Sequence, residues 1–460
     1  MSVTSKHPDY TRYVDRWLLV RDVVNSNVEQ YILDIDPTDK KRCDRYKQDA
    51  ILTNFTSRTK NGLVGAVFRK DIEIDLPSAI KYLEQDATGS GMSLEKVAQE
   101  SIGEVLQAGR YGLLVDFPAS EEGLTAAEVS NMNLKARISR YDAESIINWR
   151  TEIVDGIHCL SLVVLEEYTN KVGEDGFSWQ AETQYRVLRL INKVYVQQLY
   201  SRESNLLHEY IPRDFEGNSW EHIPFVFNGA EDNDDRIDAA PLYDLAQLNI
   251  GHLKNSADYE ESVHVTGQPT LMMSTDMSVE QFNAANPNGV QIGSRRGHNL
   301  GPGGSANLLQ ASPNQLADEA MKRKEEQAVM LGARLVMQAS ANETAEAARI
   351  KHSGENSVLS TIVSNTNDAI LRCTKWAFRF MANSTTEEDI VFQISKEFFD
   401  KTIDPQMLLA QLQLYNSAII TESDLRNSLR QSGLIEAGRT NEDIEQDLGN
   451  INPFKGLEQS

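Results

Sequence analysis

Between residues 241 and 381 the chain reads as a helix, a long excursion rich in Gly, Pro and Asn, a second helix, a short break and a long third helix. This order constrains the rest of the fold. In PLYDLAQLNIGHLKNSADYEESVH, Leu242, Leu245, Leu248, Leu253 and Ala257 recur at helical spacing. Pro241 sits in the tolerated first turn, and Gly267 and Pro269 end the helix. Ser312 and Pro313 give the second helix a cap and a first-turn proline before LADEAMKRKEEQAVMLGARL. The third helix is expected from Asn342–Glu343–Thr344 to Phe380, well beyond the usual globular length. A structureless loop as long as the excursion is uncommon inside a compact domain. Two short strands are therefore expected in it, and the excursion is expected to project.

Before this stretch, helices are expected from about Tyr10 to Asn61. Tyr13, Trp17, Val20, Val24, Val28 and Tyr31 form one apolar stripe, and Pro37 separates it from a second helix reading KKRCDRYKQDAILTNFTSRTKNGLVGAVF. The basic run Lys40, Lys41, Arg42, Arg45 and Lys47 fits either a phosphate patch or a solvated face paired with Asp39, Asp44 and Asp49, and the second reading is favoured. Ser93 caps a further helix that Gly109 stops, and Tyr111 to Asp116 is a short buried strand. A short helix around Ala143 to Trp149 then gives way to an antiparallel sheet of about four strands between Ile157 and Asn228, with Gly173 to Gly176 as a hairpin turn. The acidic run Glu231 to Asp235 lacks the glycine and terminal glutamate of a calcium loop and reads as a solvated linker. After Met381, DIVFQISKEFF is an amphipathic strand. The tail is helical, with Thr421 as a cap.

A chain of 460 residues is expected to hold two or three subdomains. Its formal net charge of -23 argues against tight binding of nucleic acid over the general surface, since phosphate affinity comes from Lys and Arg. Cys43, Cys159 and Cys373 are scattered and form no CxxC pair, which speaks against a disulfide frame or a zinc site. No apolar run reaches the ~18 residues of a membrane span, and the polar N-terminus is unlike a signal peptide. A soluble protein, cytosolic or part of a soluble assembly, is expected.

Catalytic signatures fail one by one. No phosphate loop or HExxH occurs, and His208-Glu209 is followed by Tyr, Ile and Pro. Gly303 to Asn307 misses the last position of a nucleophile elbow. Gly301 to Ala306 matches a relaxed dinucleotide fingerprint but neither follows a hydrophobic strand nor opens an amphipathic helix, so it reads as a turn. No enzyme, cofactor or metal is expected.

Several segments taken together carry a family resemblance: RTKNGLVGAVFRK, GRYGLLVDFP, YDAESIINWR, PLYDLAQLNIGHLKNSADYEESVHVTGQPTL and NETAEAARI. In this order and spacing the chain up to about Met381 resembles the portal proteins of tailed bacteriophages, most closely a portal-like family long filed as a domain of unknown function. The resemblance implies an α+β portal-type fold, predominantly helical with an antiparallel wing sheet. It implies a wing over residues 1–238, a first stem helix over 239–263, a clip over 264–312 and a second stem helix over 313–331. A tunnel loop over 332–342, a long wing helix and strand over 343–403 and a helical crown over 404–460 complete it.

Such proteins form rings of about twelve identical subunits at one capsid vertex. Double-stranded DNA passes through the ring during packaging and ejection. The partners so implied are the major capsid protein and scaffold, the terminase large subunit and a head-tail adaptor, with no membrane, and the implied location is the virion, assembled in the host bacterial cytoplasm. Lys322, Arg323, Lys324, Arg334 and Gln338 then become candidates for contact with DNA in the channel. The competing reading is salt bridges to Glu319, Glu325 and Glu326 or to a neighbouring subunit. Arg295, Arg296 and His298 become candidates for docking of terminase and adaptor at the clip. Physics agrees with the resemblance, since helices that cannot bury both faces within one subunit suit a ring, and an acidic conduit lets phosphates slide. The alternatives are another head-tail connector or structural virion protein and, as an enzyme, a nucleotide-dependent motor or nuclease.

Overall fold

The computed structural model describes residues 2–118, 134–154, 156–173, 175–268, 270–290, 297–310, 315–334, 357–382, 390–398, 413, 415, 417, 421–431 and 439–451. Four helices open the chain: α1 (Pro8–Val24), α2 (Lys40–Asp49), α3 (Phe55–Val67) and α4 (Leu94–Ala108). The apolar stripe of α1 buries Tyr10, Trp17, Val20, Val23 and Val24. The single helix expected after Pro37 is broken in two. Asn54 restarts it, its side chain accepting from Ser57 N at 2.8 Å while its own amide donates to Val23 O at 2.6 Å. An N-cap bonded to a neighbouring helix end overrides the helical spacing that runs through it.

Helix α4 behaves as its sequence predicts. Ser93 accepts from Lys96 N at 3.2 Å, and Gly109 closes the helix at φ 71°. A Cβ on Gly109 would lie 2.6 Å from Asp238 O and 2.9 Å from Ala239 O, so both the left-handed turn and the close approach require glycine.

Strand β1 (Glu73–Asp75) precedes α4, and β2 (Arg110–Asp116) follows it directly. Next come β3 (Arg137–Asp142), β4 (Ile146–Val154), β5 (Ile157–Val172), β6 (Trp179–Ile191), β7 (Val194–Ser201), β8 (Leu206–Tyr210) and β9 (Phe225–Gly229). They form two antiparallel sheets where one was expected. Strand order is β3-β2-β9 in the first and β4-β5-β6-β7-β8 in the second. Phe225 to Gly229 is buried along its whole length, which suits a seat beside the equally buried β2 rather than the rim of the larger sheet. The helix expected around Ala143 to Trp149 is a single 3-10 turn, Ala143–Ser145, and then strand. Ile146, Ile147, Trp149 and Ile153 supply the branched and aromatic side chains that favour a pleated surface.

The remaining described elements are α5 (Tyr243–Gly267), β10 (Thr270–Ser274), α6 (Val279–Ala285), β11 (Ser305–Leu309), α7 (Leu316–Arg334), α8 (Val358–Met381) and β12 (Val391–Gln393). Ser357 caps α8, and 343–356, the start expected for this helix, lies outside the described residues. Helix α8 packs on the small sheet, where Asn228 Nδ2 donates to Thr366 Oγ1 at 3.0 Å, and against the segment before β9, where the rings of Trp220 and Phe380 are 4.4 Å apart. The expected late strand is β12, which pairs with β1.

In the acidic run Glu231 to Asp235, expected as a solvated linker, Glu231 and Asp232 are exposed, but the segment is tied to the body. Asn233 Nδ2 donates to Asn365 O at 2.8 Å, Asp238 accepts from Glu231 N at 2.7 Å, and Thr151 Oγ1 donates to Asp235 at 2.9 Å. Beside them the fully buried Arg110 lies between Trp149 and Phe227, 4.0 and 3.8 Å from the ring centroids. Its Nη2 donates to Asp235 O at 3.3 Å, and burial pushes the guanidinium down to about 9.

The chain divides into two compact units, Met1–Ile394 and Ser395–Ser460. In the second, α9 (Glu422–Gln431) is capped by Thr421, and in α10 (Asn441–Ile451) Glu445 pairs with Arg426 at 3.0 Å. Most of the helix expected over DPQMLLAQLQLYNSAI lies outside the described residues. The protein is thus of mixed α and β class with antiparallel sheets.

Candidate functional site

The site is the paired helices α5 and α7 with the ribbon between them. At its start α5 is joined to the body, Leu242 N donating to Leu106 O at 3.1 Å, one turn before the Gly109 cap. Its buried residues run from Leu245 to Ala257 and then cease. Asn249 sits in the middle of that face. Its Oδ1 accepts from Thr56 N at 3.2 Å and Thr56 Oγ1 at 3.0 Å, and its Nδ2 donates to Thr53 O at 3.0 Å. A buried amide with all these groups satisfied ties α5 to the start of α3. Two turns on, Ile51 N donates to Ser256 Oγ at 3.0 Å.

Where the buried face ends, α2 takes over. Tyr46 Oη donates to Asp258 at 2.7 Å, and burial first, then Asp258, hold this phenol well above its ordinary range. Arg42 pairs with Glu261 at 2.9 Å and Arg45 with the same carboxylate at 3.7 Å. Lys47 pairs with Asp34 at 2.8 Å. Arg42, Arg45 and Lys47 of the basic run are thus partnered, but by α5 and by the preceding loop rather than by Asp39, Asp44 and Asp49, while Lys40 and Lys41 are exposed. Carboxylates that lie far away in sequence were the missing information.

Helix α7 lies against α5. The stem of Lys324 crosses α5 at Gly251, where a Cβ would come within 3.1 Å of Lys324 Cε, and its ammonium donates to Asn255 at 2.5 Å. His252, buried, meets Glu325 at 3.2 Å through Nε2 and stands edge-on to Phe55. Ala328 is buried, whereas Val329 is 74 % and Met330 61 % exposed, so one face of α7 is covered and another is bare.

The sequence-predicted channel residues therefore separate. Lys322 is exposed and paired with Asp318 at 2.7 Å, one turn earlier, and Arg323 is exposed. Lys324 turns inward to α5. Arg334 ends α7, and Gln338 lies outside the described residues. Among the described residues Lys322 and Lys324 are held by groups other than Glu319, Glu325 and Glu326. Asp318 holds Lys322, and Glu325 reaches His252.

The excursion is a two-stranded ribbon, β10 paired with β11 from Thr270–Leu309 to Ser274–Ser305. The two strands were expected. Helix α6 between them was not, although Ser278 and Gln281 form a capping box that the sequence carries openly. Asn286 pins the returning chain, donating to Asn299 O at 2.9 Å and accepting from Asn299 N at 3.0 Å. His298 precedes this pin and is half-buried, while Arg295 and Arg296 lie outside the described residues. The stretch Gly301 to Ala306 leads into β11 and opens no helix, so its context is not that of a dinucleotide fingerprint.

Among the described residues no group of three or more His, Cys, Asp or Glu is placed to hold a metal ion, and the three cysteines are free. No helix among them is long and apolar enough to cross a membrane.

The site is thus a helix pair carrying a ribbon at one end, set on an α+β body. A family model described as "Domain of unknown function (DUF4055)" matches residues 241–381, the segment that holds both helices, the ribbon and α8. The sequence matches none of the curated proteins. Among solved structures the chain is similar to one from the virion of a native gene transfer agent particle and to one from the neck of an empty particle of that kind computed with C6 symmetry. Both show 13% identity and a TM-score of 0.42, covering 85% of this chain and 93% of the other. A likeness at that level assigns neither a fold family nor a role.

Proposed function

We propose that this chain is a portal-type protein, one subunit of a ring of about twelve that serves as the conduit for double-stranded DNA at a capsid vertex. The observation that carries the reading is the helix pair α5–α7 with its terminal ribbon. It projects beyond the last buried residue of α5 and leaves Val329 and Met330 bare, as expected of a wall element completed by neighbouring copies. The order of family-like segments up to Met381 supports it, as does the net charge of -23, which disfavours tight retention of phosphate. In this reading the ribbon is the clip, facing terminase and then the head-tail adaptor, and the body faces capsid protein and scaffold.

The rival is a smaller head-tail connector or another structural virion protein. Native mass spectrometry with negative-stain class averages separates the two. A closed ring of about twelve copies with a central hole is expected. Failure to form such a ring even beside capsid protein and scaffold would overturn the portal reading and return the chain to the connector class.

A further inference from the structure

The chain contains three Asn-Gly pairs, Asn61–Gly62, Asn228–Gly229 and Asn288–Gly289. In such a pair the glycine has no Cβ to hinder attack by its backbone nitrogen on the asparagine Cγ, so the side-chain amide can be lost without an enzyme. Closing that ring swings the peptide plane between the two residues. The reaction therefore depends on whether the fold fixes the plane, and here the three pairs differ.

Asn228 is fixed most firmly. It is wholly buried in β9, paired with Tyr111 of β2, and its Nδ2 donates to Thr366 Oγ1 at 3.0 Å. Its glycine is enclosed as well, since a Cβ on Gly229 would clash with Asp232 O. Asn61 is exposed but lies in the middle of α3, where the hydrogen-bond ladder holds the peptide planes on both sides of it.

Asn288 stands in a turn. The chain leaves α6 at Asn286 and passes through Pro287 and Asn288, and Gly289 N donates to Asn286 O at 2.9 Å. Asn288 and Gly289 are both exposed, and Gly289 has a φ of 68°. Among the described residues nothing beyond its chain neighbours comes within 4 Å of where a Cβ on Gly289 would sit. One hydrogen bond in an exposed turn opens at little cost, whereas freeing Asn61 or Asn228 means unwinding a helix or parting a sheet.

We infer that Asn288 is a modification site, converting spontaneously to aspartate and isoaspartate. The Gly289 nitrogen gives its proton to water and bonds to Asn288 Cγ. The bond from Cγ to Nδ2 breaks, Nδ2 leaves as ammonia, and a succinimide ring remains. Water then opens the ring. Addition at Cγ gives aspartate, and addition at the main-chain carbonyl gives isoaspartate, whose backbone runs through Cγ. Either product places a carboxylate beside the ribbon. Isoaspartate also adds a carbon to the turn that Gly289 N and Asn286 O close, next to the Asn286–Asn299 pin. None of this depends on the proposed ring.

Ageing the purified full-length protein in heavy-oxygen water at mildly alkaline pH tests the assignment. Label is read by peptide mapping with electron-transfer fragmentation, beside the same protein in guanidinium chloride. Unfolded, the three pairs are expected to react at similar rates. Folded, Asn288 should stay within about threefold of its unfolded rate, while Asn61 and Asn228 slow by about tenfold or more. Asn288→Gln, whose longer side chain closes a larger ring far less readily, should lose the label from that peptide. A folded rate at Asn288 as slow as at Asn61 would overturn the assignment, because the turn would then protect it as a helix does. Equal labelling of all three pairs in the folded protein would also overturn it, since the fold would select nothing. Label persisting in the Asn288→Gln peptide would put the reaction on another residue and overturn it too.

Discussion

Asn249 Oδ1 accepts two hydrogen bonds from one residue, Thr56, through its amide at 3.2 Å and its hydroxyl at 3.0 Å. The first amide turn of α3 is thus satisfied by a side chain from the middle of α5. Asn249→Ala would strand the Thr56 amide and Thr53 carbonyl in a buried setting. A loss of about 3 kcal/mol in urea unfolding is expected, against well under 1 kcal/mol for Gln247→Ala on the exposed side of α5. Equal effects of the two would show that the joint contributes nothing special.

Gly109→Ala should be the most damaging single-methyl change at the root of the paired helices. The added carbon meets Asp238 O at 2.6 Å, and φ of 71° is strained for alanine. Together these cost about 2–4 kcal/mol, read as a fall in the thermal midpoint. Gly62, with nothing within 4 Å of its Cβ on helix α3, is the control. There the same change should leave the midpoint level or raise it.

Burial pushes the Asp142 carboxyl up to about 6, with Glu104 next in effect and Arg21 opposing. A folded-state value above the unfolded one means that the native protein holds the proton more tightly. Stability then falls as pH rises from about 4 through about 6. Asp142→Asn should be more stable than wild type at pH 7 by about 1 kcal/mol after allowance for solvent screening, and equal to it near pH 4. A gain that is the same at both values would contradict the assignment.

On α7 neighbouring cations are expected to differ. Lys322 and Arg323 face outward, whereas Lys324 bonds to Asn255 on α5. Lys324→Met should cost about 1 kcal/mol of stability. Reversing Lys322 and Arg323 to Glu should spare stability and lower the retention of packaged DNA. Unchanged packaging and retention would remove both from the channel.

Much of this layout was legible in the sequence because its signals are local. Ser93, Gly109 and Thr421 announce helix ends through bonds that span only a few residues. The strands of the excursion were legible for the same reason. What was hidden depends on partners distant in sequence. Asn54 breaks a helix because it bonds to Val23 O, Phe225 to Gly229 leaves one sheet for another because β2 is buried, and Arg42 is held by Glu261. Lys324 differs from Lys322 only through the place of α5, which no spacing within LADEAMKRKEEQAVMLGARL reveals.

Helix α5 is a cantilever. It is built in from Leu245 to Ala257 and held at Asp258 and Glu261, and its last six residues overhang by about 9 Å. The bracket at the exit is Tyr46 on Asp258 and Arg42 on Glu261. A sideways load on the ribbon produces its largest bending moment at that bracket, not in the packed half, and Lys324 on Asn255 couples α7 to the same beam. Stiffness at the tip is therefore set by a few polar contacts, which salt can tune while the hydrophobic body keeps its shape.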